Sequence, residues 1–200
     1  MIRFCTFLIF LLLVVTSVML IATKNKLTSD VQVSESQSEG IALVGGDFNL
    51  VNQDGVAVKN EDFRGKIMLV FFGFTSCPDI CPVASATYAK ILESLGDNAL
   101  QVAPIFISID PEVDTPQVLK EYLGKIDKRI IGLTGTEEQV EKAASSYKAY
   151  FAKTKNEAGG DQVDHSGFIY IMDKNGAYIQ HFPYDANADE IAAAISKLLK

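Results

Sequence analysis

The fold is decided by one stretch near the middle of the chain, in which an apolar run leads into a turn with two cysteines: Ile67-Met68-Leu69-Val70-Phe71-Phe72-Gly73-Phe74-Thr75-Ser76-Cys77-Pro78-Asp79-Ile80-Cys81-Pro82. An apolar run without polar alternation predicts a central strand that is buried on both faces. The residues from about Pro82 to Leu95 have the pattern of an amphipathic helix. The sequence therefore predicts a strand, a turn and a helix, with two thiols at the turn.

These two thiols indicate chemistry. Cys77 and Cys81 are four positions apart, a spacing that places two side chains on one face of a helical turn. The N-terminus of a helix favours thiolate over thiol through its dipole and its free N–H groups. Thiolates in that position carry out redox reactions or bind a soft metal. A structural disulfide is the competing interpretation, but its loop would be so short that it constrains the unfolded chain little.

A metal site needs a ligand beyond two thiols, and the chain has two histidines, His165 and His181. His165 is predicted in a loop just before the apolar strand Phe168–Met172. If that strand is a neighbour of Ile67–Phe72 in the sheet, His165 approaches both cysteines. Thiolates prefer Cu(I) and an imidazole also supports Cu(II), so this set suits copper. Asp164 is the candidate for orienting the imidazole ring. On spacing alone, a surface loop histidine is the alternative.

Composition limits the class of protein. The chain has 200 residues, 48% of them apolar, a net charge of −7 and a pI of about 4.8. After an apolar N-terminal segment, about 160 residues remain, which suits a single domain. The acidic balance and the lack of a basic patch with interleaved aromatic residues argue against nucleic-acid binding.

The N-terminal segment predicts export of this domain. Phe4–Ala22 carries no charge and is close to the ~20 residues that span a bilayer as a helix. We interpret residues 1–23 as a membrane anchor, with a cleaved signal as the alternative. Residues 24–40 are polar and predict a flexible tether, and residues 41–200 form the folded domain. Cys5, inside the apolar segment, cannot reach the other cysteines. The segment lacks the composition of a transit peptide, which favours a bacterial membrane with the domain on its periplasmic side.

Strands alternate with helices along the domain, and each end carries a hairpin predicted by an Asp-Gly or Asn-Gly turn. Helix starts are predicted at Thr115, which precedes a proline, and at Thr136, which opens a capping box. This order predicts an α/β sandwich with a mixed central sheet. The predicted elements are strands 48–50, 56–58, 67–72, 102–109, 130–133, 168–172 and 177–182, and helices 82–95, 116–126, 137–150 and 187–199.

Three stretches resemble, in order, the signatures of the Sco/SenC family. They are Phe72–Pro82, Ser108–Pro116 and Asp164–Ser166 with the strand that follows. The likeness covers roughly residues 44 to 197. Where the family usually has a bulkier residue after His-Ser, this chain has Gly167.

The resemblance implies a thioredoxin-like fold in which both cysteines and the histidine, here Cys77, Cys81 and His165, hold one copper ion. It also implies a role in cytochrome c oxidase assembly, either delivering copper to the oxidase's dinuclear site or keeping that site's cysteines reduced. The implied partners are the copper-site subunit of the oxidase and other copper chaperones or thiol reductants.

Two other functions compete with copper delivery. A thiol–disulfide oxidoreductase of thioredoxin type normally has two residues between its cysteines, and here there are three. Such enzymes also have a proline facing the pair, whereas none lies between Gly159 and Met172. A copper or redox sensor would need the same residues as a donor. We expect a membrane-tethered copper chaperone and not a turnover enzyme, with thiol–disulfide reductase activity as a possible secondary function. Oxidation of Cys77 and Cys81 to a disulfide would release the metal.

Overall fold

In the computed structural model, which describes residues 44–155 and 161–200, nine strands and four α-helices follow one another. The strands are β1 (Asn49–Asn52), β2 (Ala57–Lys59), β3 (Ile67–Gly73), β4 (Val102–Ser108), β5 (Ile131–Thr134), β6 (Phe151–Lys155), β7 (Asp161–His165), β8 (Phe168–Met172) and β9 (Tyr178–Pro183). The helices are α1 (Ile80–Leu95), α2 (Pro116–Gly124), α3 (Glu137–Ser146) and α4 (Ala188–Leu198). Short 3₁₀ segments cover Asn60–Phe63 and Gly96–Gln101.

Seven of these strands form one mixed sheet, in the order β2-β1-β5-β4-β3-β8-β9. Strand β3 pairs in parallel with β4 and antiparallel with β8, and β4 pairs in parallel with β5. Crossover helices join the parallel strands, and hairpins join β1 to β2 and β8 to β9. The prediction of an α/β fold with a mixed central sheet, flanking helices and an N-terminal hairpin is confirmed.

The core is built around the two central strands. All seven residues of β3 and all seven of β4 are buried, as the continuous apolar runs predict for strands covered on both faces. Helix α1 packs against α4 and contributes Tyr88, Ile91 and Leu92 to the core. Strand β3 lies between β4 and β8 in the sheet, and the turn that follows it carries the cysteines.

The predicted helix starts are confirmed in their cap geometry. Thr115 Oγ1 accepts a hydrogen bond from Val118 N at 3.4 Å, with Pro116 as the first helical residue. Thr136 and Gln139 form the predicted reciprocal capping box. The predicted helix ends are less accurate, because α2 stops two residues short of position 126 and α3 ends at Ser146 and not at 150. Residues 147–150 lie outside the helix and lead into a strand that the sequence analysis missed.

That strand is β6, which pairs with β7 in a separate two-stranded sheet. The prediction that His165 lies in a loop is wrong, because His165 is the last residue of β7 and is the register partner of Phe151. Residues 151–165 are mostly polar or small and show no regular apolar alternation, so the pattern that identifies half-buried strands is missing there.

The predicted membrane anchor at residues 1–23 and tether at 24–40 lie outside the described residues, which belong to one compact unit, Ala42–Lys200. Within the described ranges, none of the helices combines the length and the apolar character required to cross a bilayer. The domain boundaries therefore stay predictions.

Candidate metal centre

Three side chains from distant parts of the sequence converge at one end of β3. The Sγ atoms of Cys77 and Cys81 and a ring nitrogen of His165 all lie within 4.8 Å of one another. His165 reaches this position because β8, which begins three residues later, pairs with β3. Cys81 Sγ lies 3.5 Å from His165 Nε2. The structure thus brings together the three residues that the sequence singled out as ligands.

The two cysteines occupy different kinds of backbone. Cys77 lies in the turn before α1, where its N–H donates to Phe74 O at 3.3 Å. Cys81 is the second residue of α1, which begins at Ile80. The expectation that both thiols lie on one helical turn therefore holds only for Cys81, since the helix starts too late to include Cys77. The pair spans the junction between turn and helix.

Cys81 is enclosed, and this changes its acidity. Its side chain is 0% exposed, whereas that of Cys77 is 8% exposed. Burial raises the pKa of the Cys81 thiol far above its ordinary value. The N–H of Phe74, 3.5 Å from Sγ, opposes this shift, and electrostatic interactions with Cys77 and Asp114 add to it. The expectation that the helix N-terminus favours a thiolate is not met at Cys81, because burial makes the largest contribution to its pKa and raises it. A bound cation would offset that desolvation cost.

The His165 imidazole is arranged to act as a neutral ligand. Its ring makes edge contacts with Phe71 and Phe74, at centroid distances of 5.9 and 5.6 Å. Burial lowers the pKa of His165, against the opposing effects of the backbone carbonyls of Ser166 and Phe72 and of the Asp164 charge. Nδ1 lies 3.2 Å from Ser166 O, so we assign the proton to Nδ1 from this contact. That tautomer leaves the lone pair of Nε2 directed to the side where Cys81 lies.

Asp164, predicted to orient the imidazole ring, lies beside it on β7. Its carboxylate lines the same cavity as His165 and influences the ring through its charge. The contact that the structure shows at Nδ1 comes from the carbonyl of Ser166. A direct orienting role for Asp164 stays a prediction.

In the part of the chain that the structure describes, an opening leads from solvent to this centre. It is a cavity of about 770 Å³ whose wall includes Cys77, His165 and three carboxylates, those of Asp79, Asp110 and Asp164. Cys81 does not line it and is fully buried. An incoming group therefore meets Cys77 and His165 before it can reach Cys81.

Gly73 allows Cys81 to approach the strand, and the sequence analysis missed it. A Cβ at this position would lie 2.7 Å from Cys81 Sγ and 2.7 Å from Phe71 Cε1, closer than atoms can pack without movement. The end of β3 therefore requires glycine because a sulfur atom occupies the space of its side chain. A glycine that ends an apolar strand directly before a cysteine motif is the signal that would have identified it.

Asp114 is a second residue whose role was missed, because the sequence analysis placed it only within the Ser108–Pro116 stretch, just before the predicted helix start at Thr115. Its carboxylate is 0% exposed. It accepts hydrogen bonds from Thr75 N at 3.0 Å, from Thr75 Oγ1 and from Ser108 Oγ at 2.6 Å. Thr75 lies two residues before Cys77, so the carboxylate is attached to the turn of the metal centre.

Two further contacts hold the edges of the site. Lys153 on β6 forms ion pairs with Asp110 at 3.1 Å and with Glu112 at 3.7 Å, which connects the β6–β7 hairpin to the loop after β4. At Gly167, where a side chain would be expected from the resemblance, a Cβ would lie 2.8 Å from the ring of Tyr184 and 3.3 Å from Ile80 Cδ1. The Tyr184 ring and Ile80 therefore take the space that a larger residue would fill.

The donor set fits copper. Two sulfurs and one neutral imidazole nitrogen form a soft, three-coordinate group that suits Cu(I), and the imidazole also supports Cu(II). Among the described residues, this is the one group of three or more His, Cys, Asp or Glu side chains close enough to hold a metal ion.

Comparison with known proteins gives a consistent result. The protein-family model described as SCO1/SenC matches residues 36–200. A SCO2-like protein of Rickettsia prowazekii is 42% identical over 151 residues, which cover 74% of this chain and 73% of the relative. The solved structure of Bradyrhizobium japonicum ScoI with copper bound is similar at a TM-score of 0.72 and 37% identity, covering 78% of this chain and 99% of that one.

A second similar structure is that of BsSco, described as a member of the Sco family of cytochrome c oxidase assembly proteins and as having a disulfide switch. Its TM-score is 0.63 at 28% identity, and the match covers 78% of this chain and 92% of that one. These likenesses confirm the thioredoxin-like fold that the sequence resemblance implied.

Proposed function

The chain belongs to the SCO1/SenC family, and we propose that it is a copper chaperone that holds one copper ion between Cys77, Cys81 and His165. The observation that carries this proposal is the convergence of three soft donors within 4.8 Å, brought from a turn, a helix and a separate hairpin. Such a group offers a cation two thiolates and a neutral nitrogen in an enclosed site. The copper-bound relative of Bradyrhizobium japonicum supports the choice of metal.

Copper is the cargo, and it leaves by ligand exchange. Cys77 lines the opening and Cys81 does not, so a partner's thiolate replaces Cys77 first while Cys81 and His165 still hold the ion. Exchange in this order keeps the metal coordinated throughout. It does not consume or form a substrate, which is why the protein acts as a donor and not as a turnover enzyme.

We propose the dinuclear copper site of cytochrome c oxidase as the client. The description of BsSco as a member of a family of oxidase assembly proteins supports this choice. A membrane anchor at residues 1–23 and a tether at 24–40 would hold the domain on the periplasmic side of a bacterial inner membrane, at raised effective concentration near a membrane-embedded client. Other copper chaperones and thiol reductants would reload and reduce the site. Asp164 is the residue that we expect to assist His165.

Thiol–disulfide exchange is the second candidate function. The observation in its favour is that Cys77 and Cys81 are free thiols in side-chain contact, one of them lining the opening. In that function the pair would reduce a client's disulfide and become a disulfide itself, as the switch described for BsSco suggests. A copper or redox sensor would use the same residues and differ only in its downstream partner.

The proposal is tested with the purified, reduced, full-length chain in detergent under anaerobic conditions. Titration with Cu(I) against a competing chelator should show one tight equivalent. The Cys77→Ser and Cys81→Ser variants should each bind much more weakly. The loaded protein should then transfer its copper to the metal-free copper-site domain of an oxidase subunit.

Weak or absent copper binding by the wild type would reject the chaperone proposal. If the cysteine pair then cycled readily against a thiol buffer, the oxidoreductase function would take its place. Tight binding without any transfer to the oxidase domain would favour the sensor.

A further inference from the structure

Asp114 is buried where a neutral residue would be easier to accommodate. Among the side chains that the structure describes, it is the one charged group in the buried class. A buried carboxylate is costly unless hydrogen bonds or a counter-charge compensate for lost hydration. No lysine or arginine forms an ion pair with it among the described residues. Hydrogen bonds compensate for the hydration that the Asp114 carboxylate loses on burial.

All the donors to Asp114 belong to the two segments that frame the cysteine turn. Thr75 donates twice, from its backbone N and from Oγ1, and Ser108 donates from Oγ. Ser108 ends β4 and is the register partner of Gly73, which ends β3. The same Ser108 Oγ accepts from Asp110 N at 3.1 Å. The carboxylate therefore joins the ends of the two central strands to the first residues of the turn.

The peptide groups next to Thr75 also make hydrogen bonds with both cysteines. The N–H of Phe74 donates to Cys81 Sγ, and the next N–H, that of Thr75, donates to Asp114. The N–H of Cys77 returns to Phe74 O. Two successive amides are thus held by a ligand sulfur on one side and by a buried carboxylate on the other. A rotation of the Phe74–Thr75 peptide would break the contact of Thr75 N–H with Asp114 and that of Cys77 N–H with Phe74 O, and would so move Cys77.

We propose that Asp114 is a positioning residue of the Cys77–Cys81–His165 centre, which fixes the turn through Thr75; this inference rests on the proposed function. A carboxylate accepts several hydrogen bonds and donates none, so it can hold the amide and hydroxyl of Thr75 and the hydroxyl of Ser108 together. An amide side chain of the same shape would place an N–H₂ group against one of these donors. A side chain that only accepts hydrogen bonds therefore suits the geometry of this turn.

The test compares variants of the full-length chain in detergent, and its probe is copper alone. Thr75→Val removes the hydroxyl and keeps the shape, and Asp114→Asn removes the charge. Each should weaken copper binding by about 10- to 100-fold, the range for loss of a group that orients a ligand. Each should also shift the Cu(II)–thiolate absorption band. Thr75→Ser restores the hydroxyl and should match the wild type in both respects.

Tyr88→Phe is the control for simple loss of stability. Tyr88 is buried in α1 and its hydroxyl donates to Ile105 O at 3.2 Å, in the core and not in the turn. This variant should unfold at lower urea concentration yet keep wild-type copper affinity and absorption. If Asp114→Asn fails to fold, the copper affinity and absorption band of Thr75→Val and Ser108→Ala serve as the test in its place.

Two results would overturn the inference. One is wild-type affinity and absorption in both Thr75→Val and Asp114→Asn. The other is an equal loss of affinity in Tyr88→Phe at matched loss of stability. If the wild type itself bound no copper, the proposed function would fail separately, and the rate of Cys77 alkylation by iodoacetamide would still test Asp114. The inference then requires faster alkylation in Thr75→Val and an unchanged rate in Thr75→Ser.

Discussion

Cys81 Sγ and His165 Nε2 lie 3.5 Å apart, although 84 positions separate them in the sequence. Their contact exists because β8 pairs with β3, and it is lost when the sheet unfolds. The unfolded chain therefore offers copper the two cysteines without the histidine. Metal binding and folding are linked through this third donor.

Replacement of His165 by alanine should weaken Cu(II) binding more than Cu(I) binding. Two thiolates alone still satisfy Cu(I), whereas Cu(II) depends on the imidazole. The Cu(II) affinity should fall by more than the about 10- to 100-fold that is typical when a residue that only orients a ligand is removed. Competition titrations in each oxidation state measure both values. His181→Ala is the matched control, since His181 is exposed on the edge strand β9. An equal loss for both ions would refute the assigned role.

Gly73→Ala should displace the Cys81 sulfur, which packs against this glycine. The new methyl group would lie 2.7 Å from Cys81 Sγ, and overpacking of this kind costs about 1–3 kcal/mol of unfolding free energy. Copper affinity should fall as well, because the sulfur must move. Gly124→Ala serves as the control, since nothing lies within 4 Å of its new Cβ. Urea denaturation and copper titration of both variants make the comparison. Unchanged affinity in Gly73→Ala would mean that the Cys81 position is not restrictive.

Copper affinity should rise with pH. The pKa of Cys81 is raised by burial, so its thiol is protonated at neutral pH and must release a proton when the metal binds. Each displaced proton adds about one log unit of affinity per pH unit. Burial lowers the pKa of His165, so its imidazole is neutral in this range. Protons compete with copper for the ring nitrogen only at more acidic pH. Titrations between about pH 6 and 9 test this, and a flat profile would contradict a protonated Cys81.

The metal-free protein should lose stability in alkaline solution. A thiol whose pKa is raised by folding contributes stability that is complete below its unfolded pKa, about 8.5, and is lost as the pH rises toward the folded value. Urea denaturation at about pH 8 and pH 10 measures the loss. Cys81→Ala should reduce it only in part, because burial also raises the pKa of Tyr88 and Tyr147. No reduction in that variant would assign the whole loss to the tyrosines.

Alkylation should distinguish the two thiols. Cys77 lines the opening, whereas Cys81 is enclosed and its pKa is raised. Each unit of pKa lowers the reactive thiolate fraction about tenfold. Iodoacetamide should therefore modify Cys81→Ser, which keeps Cys77, far faster than Cys77→Ser, which keeps Cys81. Mass spectrometry follows both rates. Similar rates would show that the helix opens readily around Cys81.

The central fold could be predicted because its signals are local. Continuous apolar runs identified β3 and β4, and Thr115 and Thr136 marked helix starts by short-range capping. The β6–β7 hairpin could not be predicted in this way, because it is not part of the central sheet and its sequence lacks the alternation of a half-buried strand.

The part of the site that could be predicted is the part whose chemistry follows from amino-acid type alone. Two cysteines and a histidine indicate a soft-metal site, and the structure brings these three side chains together. Gly73 and Asp114 were missed because their roles depend on what lies next to them in space, a sulfur atom in one case and the backbone of Thr75 in the other. Nothing in one sequence shows that an aspartate before a helix faces inward.

The opening at Cys77 has a consequence for the order of exchange in the proposed function. Cys77 lines this cavity and Cys81 is fully buried, so a copper donor and a copper-receiving client would both approach the same face. The two partners would then compete for one surface, and loading and release of copper would take place one after the other.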